Sequence, residues 1–565
     1  MTKGDITIIN NHRVMMILEK FSLDDAGEVE ISLYDWENDK AVEKEYRFSN
    51  IKKMIDELNA NNIKCVDGEV TDQEGKPVWV DNAKKLENKT LKEVRAGIDA
   101  TKLGGKNPEY YRYAFNRIKM LVDTEETSAP AQWMAGVTWE NELVFWGYNH
   151  ASYFINGMGT DNAGVQTIPQ SVEKHGVEIK KLYANTWNLF VLYEDGDLYV
   201  MGYNGYGQLG VGNTAIQYKL VKSAENVTKL STSSVGYHQD YNHVMILKED
   251  GSAWLTGHNG AGQLGNGNTT SQNSWVKADI LEKAKDILAV GTNNATSYIL
   301  TEDGTVYATG YNGHGQLGDG SVTNSSGFKK INNISDYKVV KIVGAGGTRY
   351  SSSAYYHNFI LFLTDAGRVF TLGYNGYGQL GVNNTEHQRL PIEISYGHEN
   401  NNDPVKDIFT SKASMGSSGY ITESGRLYMT GYNAYGELGV GDTTNRLVPT
   451  FVMNDVSYVQ SVASGTYGYH RTYIARKLDG TLFAWGYNGN GQVGDNTTTN
   501  ATTPKQIPFD NADKVVQISQ GGYSSSTHFN VLLSDGRVYG WGANEYQQSY
   551  PQNGSANVRR PIRTI

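Results

Sequence analysis

The sequence predicts an all-β fold: a β-propeller of four-stranded blades, preceded by a small N-terminal α/β domain. Two observations predict it. A glycine-rich nonapeptide returns at a near-constant interval over residues 113–565, and two short apolar runs joined by a tight turn precede each copy. A fixed period of this size denotes stacked supersecondary units.

The nonapeptide reads Gly-Tyr-Asn-Gly-Tyr-Gly-Gln-Leu-Gly from Gly202. It returns from Gly257, Gly310, Gly373, Gly431 (with Glu437 for Gln) and Gly486 (with Val493 for Leu), and worn copies start at Gly147 and Gly542. The steps between starts are 55, 55, 53, 63, 58, 55 and 56 residues.

The runs before each copy form a hairpin. In the last unit they are Phe529 to Leu533 and Arg537 to Trp541, joined through Asp535-Gly536. Asp-Gly between short apolar runs is a hairpin signal, because the turn needs positive φ and glycine supplies it without strain. A third run lies upstream (Val515 to Ser519, Val339 to Val343, Val456 to Val462). A fourth, proline-containing run such as Pro504 to Pro508 suits an outer edge, where a missing N–H is tolerated. Four strands per unit of about 56 residues make a propeller blade, a design that leaves only short sheet edges. Within the nonapeptide, Leu209, Leu264, Leu317 and Leu380 are expected to plug between blades, and the Gln amide to satisfy buried loop backbone.

The Asp-Gly turn, the Trp-Gly or Thr-Gly ending (Trp485-Gly486, Thr309-Gly310), the recurring Asn (Asn204, Asn312, Asn375, Asn433, Asn488) and Gly-Gln-Leu-Gly resemble the repeat of the regulator of chromosome condensation family. The resemblance implies a propeller, seven-bladed by family precedent, and a family that includes exchange factors and scaffolds. Eight hairpins are countable here, starting with Trp133 to Trp146, so seven or eight blades are expected, with the first unit a candidate for a place outside the ring. Fold alone transfers no function.

Residues 1–112 lack the repeat and read as an attachment or assembly domain. Ile6 to Met16 and Val29 to Tyr34 have strand character, and Ile51 to Leu58 and Thr90 to Ile98 have helical character.

Only 19% of residues are charged, net charge is −10, and no basic run reaches five residues. Nucleic-acid binding, which requires a positive surface, is therefore not expected. Arg559, Arg560 and Arg563 read as a solvated terminus. The single Cys65 excludes an internal disulfide framework, and no metal or cofactor motif is legible. With neither a secretory leader nor a long apolar stretch, the chain is expected to be made in a cytosol and not to insert in a membrane.

In a simple meander, the loops after the first and third strands share one face. Those loops carry Tyr237, Tyr241, Tyr350, Tyr355, Tyr356, Tyr467, Tyr469 and Tyr523 after first strands, and Tyr206, Tyr377 and Tyr435 in the nonapeptide. Tyrosine on Ser/Gly/Asn loops is the composition of binding surfaces. The other reading of the nonapeptide tyrosines is packing over the next blade. His243, His357, His470 and His528 recur ahead of the second strand, which suggests a repeated hydrogen-bonding role; no catalytic constellation is legible.

Low charge density and aromatic loops without an export signal suggest a non-catalytic virion component, a phage tail or capsid accessory. Its N-terminal domain would bind other virion proteins and its propeller a host glycan or protein. The alternative is an intracellular protein-binding scaffold or a guanine-nucleotide exchange factor-like propeller.

Overall fold

In a computed structural model, the chain divides into two compact units, Met1–Arg117 and Ile118–Ile565. The structure describes six strands between Gly4 and Thr71. From Ile118 to Arg563 it describes all residues except 124–132, 140, 142, 148–162, 168–176, 186, 234–240, 335, 347–356, 396–402, 412–415, 464–469, 510–511, 524–525, 546–548 and 550–556.

In the first unit, Gly4–Ile9, Arg13–Leu18, Val29–Glu37 and Lys40–Phe48 form an antiparallel meander, and Lys64–Val66 pairs with Glu69–Thr71. The single run expected over Ile6 to Met16 is thus two strands of a hairpin, closed at Ile9 opposite Arg13. The helices expected at 51–58 and 90–98 lie outside the described residues.

The second unit is a propeller of eight four-stranded blades, each a sequential antiparallel meander. The blades span 118–167, 179–224, 227–277, 284–330, 339–393, 405–453, 456–506 and 515–563. The first strand of each blade lies innermost, against the first strands of its neighbours, and the fourth is the most exposed. Second strands such as Phe359–Thr364 are buried along their whole length. Both faces of a blade pack on neighbours, so its apolar run is continuous rather than alternating.

The ring closes without an exchanged strand. At five covalently linked seams, the N–H at or beside the start of a first strand donates to the carbonyl of the preceding blade's turn glycine: Val227 to Gly196, Ala284 to Gly251, Val339 to Gly304, Val405 to Gly367 and Val456 to Gly425, at 2.8–3.3 Å. The closing seam repeats this bond, Ile118 N–H to Gly536 O at 3.0 Å. There Gln517 also grips Leu121 twice, accepting from its N–H at 2.8 Å and donating to its carbonyl at 2.9 Å. Leu532 and Val538 of the eighth blade join the core of the first two. The first blade, 118–167, therefore belongs to the ring, correcting the expectation that the first repeat might stand outside. The reason is that this seam uses contacts available to any two blades.

The proline runs are outer strands. Pro391, Pro449, Pro504 and Pro561 each stand three residues past the partner of a nonapeptide glycine, where the ladder shifts register. No ladder N–H is needed from an outermost strand at a bulge. Arg559, Arg560 and Arg563 are solvent-exposed, as expected, but on a strand: they belong to Val558–Arg563, the outer strand of the last blade, paired with Val538–Gly542.

Candidate binding face

The nonapeptide is an interlock between blades. Its Asn binds the loop from both ends: Asn204 Oδ1 accepts from Leu209 N at 2.9 Å, and its Nδ2 donates to Asn213 O at 2.8 Å. The amide oxygen of Gln208 accepts from Tyr206 N at 3.0 Å. Leu209, Leu264, Leu317, Leu380 and Leu438 are fully buried in inter-blade cores, as expected of plugs. The Thr-Gly and Trp-Gly endings are two solutions to one requirement. Thr256, Thr309 and Thr430 hydroxyls donate to carbonyls of the previous loop (Gly207, Gly262, Gly378) at 2.9–3.0 Å. The Trp485 and Trp541 indoles donate to Glu437 O and Gln492 O at 2.8 and 2.9 Å. Gly315 sits at φ +86°, and a Cβ there would lie 2.4 Å from the Cα of Arg389 on the next blade.

What remains free of this interlock is a girdle of rings. At four seams the fifth residue of one nonapeptide meets the second residue of the next edge-on. Tyr206 meets His258 at 5.1 Å and 87°, His314 meets Tyr374 at 5.1 Å and 80°, Tyr377 meets Tyr432 at 5.3 Å and 85°, and Tyr435 meets Tyr487 at 5.6 Å and 84°. Edge-to-face geometry is the favoured one for aromatic quadrupoles. The loops after first strands add a second layer: Tyr241 lies 5.0 Å from His258, His357 stacks on Tyr374 at 3.9 Å, and His470 lies 4.0 Å from Tyr487. These contacts place both sets of loops on one face.

Of the tyrosines singled out in sequence, Tyr206, Tyr241, Tyr377 and Tyr435 are half-buried in the girdle. The nonapeptide tyrosines do pack over the next blade. Tyr237, Tyr350, Tyr355, Tyr356, Tyr467 and Tyr469 lie outside the described residues. Tyr523 ends the inner strand Val515–Tyr523 opposite Ser526, rather than standing in a loop. Sequence reasoning missed His258, His314 and His387 as girdle members, although they fall at or near nonapeptide positions.

Burial holds His258 down at about 4 and lowers His387 and His470, with Arg389 and Arg471 adding to the effect on the latter two. The recurrent histidines divide by register. His243 and His528 face Gly257 and Gly542 and are buried, which pushes both down to about 3. His357 and His470 belong to the girdle. His243 Nε2 lies 2.8 Å from Ser297 Oγ, which itself donates to Gln263 O at 2.7 Å. The serine proton is thus committed to a carbonyl inside a closed core, and the pair is structural. Among the described residues no three His, Cys, Asp or Glu side chains gather to hold a metal.

One seam departs from the pattern in two places. Glu437 stands where five other copies have Gln, and Arg471 lies across the seam; both are buried. Burial raises the Glu437 carboxyl to about 7 against the opposing pull of Arg471, whose guanidinium lies over the Tyr432 ring at 5.4 Å. Sequence reasoning noted Glu437 but not its partner; the signal was the joint departure of two adjacent units.

The profile of the regulator of chromosome condensation (RCC1) repeat matches residues 195–238, 303–348, 366–412, 424–468 and 479–527, and a second profile of that repeat matches 287–316. The propeller contains RCC1 repeats. Each of the five stretches begins at the turn before a third strand and ends in, or just past, the first loop of the next blade. The sequence repeat therefore straddles two blades and encodes the seam.

Curated relatives include the E3 ubiquitin-protein ligase HERC2 of Homo sapiens, 24% identical over 396 residues, 69% of this chain and 8% of the ligase. The Ultraviolet-B receptor UVR8 of Arabidopsis thaliana is 29% identical over 300 residues, 52% of this chain and 61% of the receptor. The Regulator of chromosome condensation of Xenopus laevis is 25% identical over 366 residues, 61% of this chain and 80% of that protein. The chain thus matches less than two thirds of the ligase and of the receptor. Among solved structures, human WBSCR16 superposes with a TM-score of 0.48 at 18% identity over 66% of this chain and 90% of that one. Prp20p of Saccharomyces cerevisiae gives 0.46 at 20% identity over 66% and 86%.

Proposed function

We propose that this propeller is a non-catalytic protein-binding scaffold that docks a partner on the girdle face. The observation that carries the reading is the concentration of half-buried rings and tyrosine-bearing loops on one face of a rigidly interlocked ring. Such a face offers a large amphipathic contact at low entropic cost. The repeat supports binding over chemistry: its recurring Asn, Gln, Thr and Trp groups already have structural duties. The family resemblance makes a small GTPase one partner of interest, which a nucleotide-exchange assay would recognise. The reading of a virion part that contacts a host glycan or protein has only composition behind it.

The test is site-directed photo-crosslinking. A benzophenone amino acid at Tyr241 should capture a protein, whereas one at Leu478, exposed on the opposite face, should not. Capture from Leu478 alone would place the docking surface on the wrong side.

A further inference from the structure

The eight loops that join third to fourth strands (148–162, 203–216, 258–271, 311–324, 374–387, 432–445, 487–500 and 543–557) contain no Lys or Arg, though the chain has 50. They contain seven carboxylates, of which Asp319 and Asp442 are answered by Lys329 and Arg446 on outer strands and Glu437 is buried under the influence of Arg471. Burial lowers His258, His387 and His470 among them. The face therefore offers ring π-surfaces and carboxylates with no competing cation from these loops. How such rings serve a cation is visible in the same girdle, where the Arg471 guanidinium lies over Tyr432. Rings of tyrosine attract guanidinium and ammonium groups through the quadrupole. At the same seam, between the sixth and seventh blades, Tyr435 and Tyr487 stand half-buried around His470, their rings outside the Arg471–Tyr432 contact, and exposed Ala434 marks the loop tip beside them.

We propose that the partner segment docked on this face is cationic, with Lys or Arg side chains lying over the tyrosines at the seam between the sixth and seventh blades. This rests on the reading of the girdle as a protein-docking face. The specificity is electrostatic: a cationic segment meets rings and carboxylates, and an acidic one meets repulsion.

The experiment measures binding of a labelled Arg-Gly repeat peptide and a matched Glu-Gly peptide to the full chain by fluorescence anisotropy. The cationic peptide should bind, more weakly as salt rises, and the acidic peptide should not. Ala434→Lys places a like charge at the exposed tip without touching the interlock, and should weaken binding about fivefold at low salt, with Ala434→Glu tightening it. Leu478→Lys on the opposite face should change nothing. Equal binding of the two peptides, or indifference to the charge at 434, overturns the proposal. If the Tyr241 crosslink captures a partner through a segment without Lys or Arg, the cationic assignment fails while the docking face stands. Capture only from Leu478 removes both.

Discussion

Gln492 donates its Nε2 to Thr527 Oγ1 at 3.0 Å across the seam between the seventh and eighth blades, and one seam earlier the same two positions hold Glu437 and Arg471. A neutral amide–hydroxyl bond has given way to two buried ionisable groups that act on each other electrostatically. Removing one partner of such a pair strands a charge in a low dielectric, whereas replacing both restores a neutral solution. Glu437→Gln and Arg471→Thr should each lower unfolding stability by about 3 kcal/mol, and the double variant should recover most of that loss. Urea unfolding of the cycle decides it; additive losses would show that the two do not act as a pair.

Stability should depend on pH through three buried groups. His243 and His528 are depressed to about 3, so the unfolded chain binds more protons between there and the usual imidazole value near 6.5. Their contribution is complete above 6.5 and is lost as pH falls toward 3. Glu437 acts in the opposite sense. Raised to about 7, it favours the native state below 4.5, and that contribution is lost as pH rises through 7. Urea midpoints should therefore fall steeply in acid, and His528→Asn should make that limb shallower. An unchanged slope would mean that the imidazole is not held neutral.

Two glycines separate backbone strain from close approach. Gly212 and Gly315 both have positive φ, 79° and 86°, but a Cβ on Gly212 meets nothing within 4 Å, whereas one on Gly315 meets the backbone of Arg389. Gly212→Ala should cost about 1 kcal/mol from φ alone. Gly315→Ala should cost several times as much, because the fourth and fifth blades must part. Thermal unfolding of the two variants measures the difference, and equal losses would refute the interlock.

The closing seam depends on Gln517. Gln517→Ala removes two bonds to Leu121 and leaves its backbone groups without those partners, at a cost of about 1–3 kcal/mol. Hydrogen exchange should quicken first at Ile118–Leu121 and Val515–Tyr523, ahead of the other seven seams. Uniform acceleration around the ring would mean that this seam is no weaker than the covalent ones.

Much of this architecture was legible because it repeats. Asp535-Gly536 announces a hairpin wherever it occurs, and Leu380 could be read as a plug because its eight-residue context returns from Gly202 to Gly431 with little change. The blade count was only half legible: the first repeat has the worn copy at Gly147, and its place in the ring depends on Ile118 meeting Gly536, more than 400 positions away. The faces of the histidines were legible only in part, since His243 and His470 differ by two residues in register, one entering a core and the other a girdle. Arg471 was illegible as a partner of Glu437, because nothing local links a loop residue to one thirty-four positions later.

The amino-acid sequence by itself determined the period, the strand-turn-strand units, the glycine positions where φ must be positive, and the tyrosine-rich loops. These are local choices, fixed by what a few neighbouring residues can adopt. Only the tertiary structure decided that eight units close a ring, that the rings of those loops lean on one another across seams, and that one seam buries both Glu437 and Arg471. Those depend on which side chains meet when blade packs against blade, and burial, hydrogen-bond partnership and ring contact exist only once distant segments have come together.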